Sequence, residues 1–331
     1  MAKNDNLQDF LTDIANSIRT KTQTTDPINA QDFSDKILNI QTGGGGNTLK
    51  NLLDATKTTK YLFSYYEGDD IPNLIQPNDT ENVTNMSYMY NNCKASTFPI
   101  LNMSKVTNAS YMFYNCKNIV TAPILNLSTV QNCESVFRDC ANLTTCEISD
   151  FSNATNINGL FATCRKLKNI ASNLTTPKVT DTGFMFYDCN ALETAPEMNT
   201  SNVTYMNKMF YSCSKLTTVP LYDTSKVTRM EEMFWHCSDL QTVPAFDCSN
   251  VTNMNNMFAS CRSLKSILMT NIGVSLNISA STLFERSDLV TILNNLKTVT
   301  STKTLTMGSE NLAKLTDEDK LIATNKGWTL A

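Results

Sequence analysis

Eight cysteines, Cys93, Cys116, Cys140, Cys164, Cys189, Cys213, Cys237 and Cys261, recur at intervals of 23 to 25 residues and are the first groups to weigh for chemistry. Cys237 follows the only histidine, His236, and a thiol beside an imidazole is the usual form of an activated nucleophile. Repetition argues against that role. Seven sister cysteines have no histidine beside them, so a small buried residue stacked in a ladder explains the series better. Metal binding fails too, because there is no C-x-x-C pair and no second histidine, and cysteines a full interval apart form a row, not a tetrahedron. The methionines Met206, Met209, Met230, Met233, Met254 and Met257 suggest soft-metal ligation, yet their spacing of three beside Phe210, Phe234 and Phe258 is that of a packed core face. Asp69-Asp70 and Glu231-Glu232 are sequence neighbours with no partner motif and read as solvated surface. No catalytic, cofactor or metal residues are assigned, and the chain is expected not to be an enzyme.

One variable position is aromatic. The residue after the repeated aromatic core position is Tyr114, then Tyr187, Tyr211 and Trp235 in three consecutive units, with His236, Arg229 and Glu232 close in sequence. Equivalent residues of stacked units lie about 5 Å apart, which would align the last three rings in a strip. Tyr114, Tyr187, Tyr211, Trp235 and His236 are therefore the candidate ligand-binding strip, able to stack on sugar rings or on a partner's aromatic residues. The alternative is that these rings lie half-buried between helices.

The elements that would carry such a strip follow from the repeat. The pattern x-V-T-x-M-x-x-M-F-x-x-C-x-x-L-x-x-x-P occurs eight times and is clearest from Asn202-Val203-Thr204-Tyr205-Met206 through Phe210, Cys213, Leu216 and Pro220. A fixed period of this length specifies a solenoid whose units bury their apolar faces only by stacking. Val227, Met230, Met233, Phe234 and Cys237 fall at roughly helical spacing and predict a short helix capped by Ser225. Leu240 to Pro244 predicts a short strand, since the residue before proline is driven out of the helical region. Phe246 then points inward, as do Leu101, Leu125, Met198 and Tyr222 at equivalent places. Polar turns follow at Asn102, Asn126, Asn199, Asp223 and Asp247, each with serine two residues on. Units three and four are irregular, with Cys133 in place of methionine and no proline at its normal place between Leu167 and Pro177; a local distortion without a break is expected. The fold class is thus α/β: a right-handed leucine-rich-repeat-like solenoid of short helix plus short strand units.

Appendages flank the repeats. Leu7, Phe10, Leu11, Ile14 and Ile18, then Phe33, Ile37 and Ile40, form two helical stripes in residues 1–42, too few to make a core alone. That segment is expected to attach to a larger assembly or to self-associate as a dimer or trimer, with Leu7, Phe10, Leu11, Ile14, Ile18, Phe33 and Ile37 as the contact residues. Gly43 to Gly46 form a linker, 47–81 an N-terminal cap, 82–272 the solenoid and 273–331 a small α/β C-terminal cap. Within that last segment Leu283 to Leu296 predict a helix, Lys303 to Met307 a strand, and Thr316 with Asp319 a capping box.

Composition narrows the partners. Net charge is −4, and no block of like charge exists to hold a phosphate backbone, so nucleic acid is not expected. Apolar runs are a few residues long, too short to insert in a membrane, and the N-terminus lacks a signal-peptide core. Eleven cysteines, an odd number, without such a signal predict reduced thiols.

The run Ser-Asn/Lys-Val-Thr-x-Met-x-x-Met-Phe-x-x-Cys-x-x-Leu-x-x-x-Pro resembles the leucine-rich-repeat-like family of bacterial surface proteins, repeats also found in mycoplasma lipoproteins and phage proteins. The tail, Leu305 to Leu312 and Asn325 to Leu330, resembles the C-terminal ends of such proteins in gut phages, and Leu11 to Arg19 with Thr25 to Ala30 is similar to leaders of phage structural proteins. The resemblance implies a virion protein, a head- or tail-associated fibre that joins other virion proteins through its N-terminus and presents the repeats to a host-surface glycan or protein. A bacterial surface adhesin is the other reading it allows.

Overall fold

The computed structural model describes residues 53–54, 56–66, 71 and 75–331. The leader stripes from Leu7 to Ile37 and the Gly43–Gly46 linker lie outside the described residues. The architecture is mixed α/β, with very short strands and few helices.

From Asn85 onward each unit pairs in parallel with the next through one chain of single bridges, Asn85–Asn108–Asn132–Asn156–Asp181–Tyr205–Arg229–Asn253. A second line of pairing joins two-residue strands: β1 (Thr145–Cys146) with β2 (Asn169–Ile170), β3 (Asn173–Leu174) with β4 (Glu197–Met198), and β5 (Thr242–Val243) with β6 (Ser266–Ile267). Both lines run through units three and four, so the one-residue insertion between Cys164 and Cys189 is absorbed locally, as expected.

The helix expected in each unit is absent among the described residues, and the backbone shows why. In unit six the N–H groups of Met206, Lys208, Phe210 and Ser212 donate to the carbonyls of Arg229, Glu231, Met233 and Trp235 of unit seven, at 3.0, 3.0, 3.0 and 2.7 Å. Between them, Met209, Tyr211 and Cys213 donate three residues back, to Met206, Lys208 and Phe210. A helix would send every N–H four residues back along its own chain. Here alternate N–H groups leave the unit, which requires left-handed residues at every fourth position. They are present at Lys208 (φ 56°) and Ser212 (φ 59°), and again at Glu232 and His236 (φ 55° and 59°). A positive φ at the third residue of a four-residue turn is the geometry of a type II turn. The apolar spacing of three and four that suggested a helix is equally the spacing of this run of turns.

Ser225 is likewise not a helix cap. Its N–H donates to the Asp223 side chain at 3.0 Å, closing a side-chain turn, and Ser104, Ser128, Ser152, Ser201, Ser249 and Ser279 do the same with the residue two before.

The core is a set of parallel columns. Tyr90, Phe113, Phe137, Phe161, Phe186, Phe210, Phe234 and Phe258 stack ring on ring, at centroid distances from 5.0 to 6.0 Å. Offset stacking of this kind adds about 0.5–1.5 kcal/mol per pair beyond burial. Beside it runs the thiol column. Cys213 donates its S–H to the Phe186 carbonyl at 3.0 Å and Cys237 to that of Phe210 at 3.0 Å; Cys116, Cys140, Cys164, Cys189 and Cys261 repeat the bond one unit back each time. A cysteine suits this place because it is small, apolar and still supplies a donor. All eleven thiols are free and buried. Burial pushes the pKa of Cys133, Cys140, Cys146, Cys248 and Cys261 up to about 12, and that of Cys164, Cys213 and Cys237 well above the ordinary thiol value.

At the N-terminal end, residues 56–66 extend the same pattern inside the segment expected to be only a cap. Thr58 bridges Asn85, the Thr59, Phe63 and Tyr65 N–H groups donate to Asn85, Met89 and Asn91, and Phe63 stacks on Tyr90 at 5.6 Å. At the other end, β7 (Leu276–Asn277), β8 (Lys303–Thr306) and β9 (Trp328–Leu330) form a parallel sheet in the order β7-β8-β9. Helix α1 (Arg286–Asn294) packs against β6 and, with the short helix α2 (Ser309–Leu312) between them in the chain, against helix α3 (Asp317–Thr324), which also packs against β9. Thr316 and Asp319 form the expected capping box, while Leu283 and Leu296 lie outside α1. Arg286 holds Asp319 through two bonds, at 2.7 and 2.8 Å.

The left-handed turn at Lys208 has a direct test. In a helix, Lys208→Gly would cost about 1 kcal/mol. In this turn glycine relieves the strain, so Lys208→Gly is expected to be neutral or stabilising in urea titration, whereas Lys208→Val loses roughly 1–3 kcal/mol. The thiol column predicts that none of the eleven cysteines reacts with a water-soluble disulfide reagent at pH 8 in the folded chain, and that all react in denaturant. A rapidly titrating Cys237 would contradict its place in the column.

Candidate aromatic binding surface

The turn ladder decides which residues reach the surface. The residue between the core aromatic and the second left-handed residue of each unit gives the series Asn91, Tyr114, Arg138, Ala162, Tyr187, Tyr211, Trp235 and Ala259, of which Asn91 and Ala162 are buried and the others partly exposed. Because backbones in adjacent units are hydrogen-bonded in register, the rings of consecutive members come into contact. Tyr187 and Tyr211 lie 4.6 Å apart with planes 12° from parallel, and Tyr211 and Trp235 4.4 Å apart at 10°. All three are partly exposed, and His236 beside them is exposed.

The strip expected at Tyr187, Tyr211, Trp235 and His236 is therefore one continuous cluster, but its orientation differs from a flat platform. The rings stack on one another, so their inner faces are covered. Lys208 sits on this cluster, 5.8 Å from the Tyr211 ring and 5.5 Å from Phe184, and pairs with Glu232 at 3.4 Å. Burial raises the Tyr211 pKa, with the nearby Tyr187 adding to the effect. Arg229 pairs with Glu231 beside the cluster.

Tyr114 does not join that strip. Arg138 and Ala162 occupy the two units between it and Tyr187. It packs instead at 5.9 Å against Tyr111, in a second aromatic group that sequence inspection missed: Tyr61 on Tyr88 at 4.9 Å and Tyr88 on Tyr111 at 4.8 Å, 3° from parallel. Lys60 lies 5.1 Å from the Tyr61 ring, and the Tyr111 hydroxyl donates to Glu134 at 2.6 Å. That hydrogen bond adds to burial in raising the Tyr111 pKa to about 12. The signal for it in the sequence is the aromatic residue at the first left-handed position, Tyr88, Tyr111 and Phe184, three before the residue that follows the core aromatic.

His236 and Cys237 point apart. The imidazole is exposed, whereas the thiol is buried and donates to Phe210. Among the described residues there is no grouping of three His, Cys, Asp or Glu side chains able to hold a metal, and no helix long and apolar enough to cross a membrane. A second exposed feature is apolar. Ile100, Ile124 and Leu221, each after a proline, are 60%, 75% and 65% exposed, and a shallow groove of about 340 Å³ runs between Ala122–Leu127 and Glu147–Asp150.

No curated protein matches the chain. Among solved structures it is similar to a leucine-rich repeat protein from Bacteroides ovatus, with 16% identity over 76% of each chain and a TM-score of 0.35. A family model described as "Mycoplasma protein of unknown function, DUF285" matches residues 53–148, 93–198, 124–218 and 193–292, which together span most of the chain and all of the stacked units. The chain belongs to this family of repeat proteins.

Proposed function

We propose that this protein is a non-enzymatic adhesion-type protein whose units coil as a right-handed leucine-rich-repeat-like solenoid and present the Tyr187–Tyr211–Trp235 column to a glycan or protein on a host surface. The observation that carries the reading is the column itself: three large aromatic rings stacked and kept partly in water, beside a core ring column that is fully buried. Aromatic residues held rigid at a surface supply contact area at little entropic cost, with hydroxyl and indole donors at their edges. The sequence resemblance of the leader and tail supports a phage particle as carrier, with residues 1–42 joining other virion proteins and copies of the chain associating as a dimer or trimer. The family's description as a Mycoplasma protein favours the second reading, an adhesin on a bacterial surface.

Replacing Tyr187, Tyr211 and Trp235 together with alanine is expected to weaken binding to target cells by at least about tenfold. The urea midpoint should move little, since the core ring and thiol columns are untouched. Unchanged cell binding by a folded triple variant would end the proposal. The carrier is tested separately, by locating an antibody to residues 300–331 on purified virions and on bacterial envelopes; absence from virions rejects the phage reading and leaves the adhesin.

A further inference from the structure

The aromatic column ends abruptly. Tyr187, Tyr211 and Trp235 are followed in the next unit by Ala259, although the backbone beneath continues in register: the His236 N–H donates to the Ala259 carbonyl at 2.8 Å, and Phe234 stacks on Phe258 at 6.0 Å. Where a fourth ring would lie, one stacking distance beyond Trp235, there is only a methyl group. Trp235 and Ala259 both keep solvent exposure, so that place opens to water. Among the described residues, the rings touching Trp235 are Tyr211 on one side and His236, tilted by 35° at 5.3 Å, and no lysine or arginine lies over the indole.

We infer that the vacant step above Ala259 is a binding site for one uncharged pyranose ring, which takes the place of the missing aromatic and lays its apolar face on Trp235. This deepens the proposed adhesion role and rests on it. The neighbouring side chains identify the ligand class. Three residues before the filled positions stand Phe184, Lys208 and Glu232, the last two paired. Around the vacant one are Asn255 and Asn256, both exposed, with His236 and Ser260. A rim of amide, imidazole and hydroxyl groups matches the ring hydroxyls of a neutral sugar. An aromatic side chain of a protein partner would use the indole face but leave that rim unpaired, and an anionic sugar would find no lysine or arginine over the ring to hold its charge.

The test uses the full chain and its own fluorescence. Of the two tryptophans, Trp328 is buried with its indole N–H on the Lys297 carbonyl, so a ligand-induced change in emission reports Trp235. Soluble oligosaccharides of glucose, galactose and N-acetylglucosamine, with a polygalacturonic acid fragment as the anionic counterpart, are titrated. At least one neutral probe is expected to give a saturable change. Ala259→Tyr, which continues the column with the residue found at 211, should weaken that response by about tenfold or more with the urea midpoint maintained. Ala259→Asn, the residue found at position 91, is a second filling variant should the first be unstable. The inference falls if no neutral probe gives a saturable change, if the anionic probe alone does, or if a folded Ala259→Tyr responds as the native chain does. Cell binding that survives Ala259→Tyr but is lost in the triple alanine variant would overturn this site while leaving the proposed function intact.

Discussion

Everything in this molecule depends on where alternate backbone N–H groups go. Two left-handed residues per unit, four positions apart, turn the chain so that every second amide leaves its own unit and meets a carbonyl of the next. Each such residue costs on the order of 1–3 kcal/mol when it is not glycine. At the second of the two positions the chain reduces that cost with Asn92, Asn115, Asp139, Thr163, Asp188, Ser212, His236 and Ser260, mostly side chains that tolerate the conformation. At the first it accepts Tyr88, Tyr111, Ser135, Phe184, Lys208, Glu232 and Asn256, and once relaxes with Gly159. Hydrogen bonds to the neighbouring unit, and the columns they align, offset the strain.

Those columns divide into two kinds. Inside, phenylalanines and cysteines repeat with almost no variation, because a buried column fails at its weakest member: a gap would leave a ring without a partner and a carbonyl without its thiol. Repetition there serves packing, which is why eight similarly placed cysteines make a poor catalyst and a good ladder. Outside, the same registration acts on residues that no packing rule constrains. Lys166 reaches Asn142 of the preceding unit and Lys178 reaches Asn153, while Tyr187, Tyr211 and Trp235 form a stack because the backbone beneath places them within stacking distance. The exposed aromatic column is thus a consequence of the core's regularity.

Much of this was legible in the sequence, and the misses have physical causes. The period, the buried faces, the thiol ladder, the C-terminal capping box and the three-ring strip followed from residue types and spacing. The helix did not, because Val227, Met230, Met233, Phe234 and Cys237 satisfy helical spacing and turn-ladder spacing equally, and only the destination of the N–H groups separates them. The extra rung at residues 56–66 escaped notice because Tyr66 stands where the cysteine belongs, although Thr58 to Phe63 align with Asn85 to Tyr90. Ring planes were beyond reach as well: spacing places the rings of Tyr211 and Trp235 side by side, but only the backbone twist decides that they meet face to face. Tyr114 shares their position in the repeat, yet Arg138 and Ala162 separate it from them, so equivalence in sequence did not become contiguity in space.

The central claim is that recognition occurs at the Tyr187–Tyr211–Trp235 column and not elsewhere on the stack. Hydroxyl-radical footprinting of the full chain, free and bound to envelopes of the target cell, reads this directly, because tyrosine and tryptophan are among the side chains that such radicals label readily. The account predicts lost labelling at Tyr187, Tyr211, Trp235 and His236, with Ile100, Ile124 and Leu221 labelled as before. Protection confined to those apolar residues, with the aromatic column still fully labelled, would contradict it.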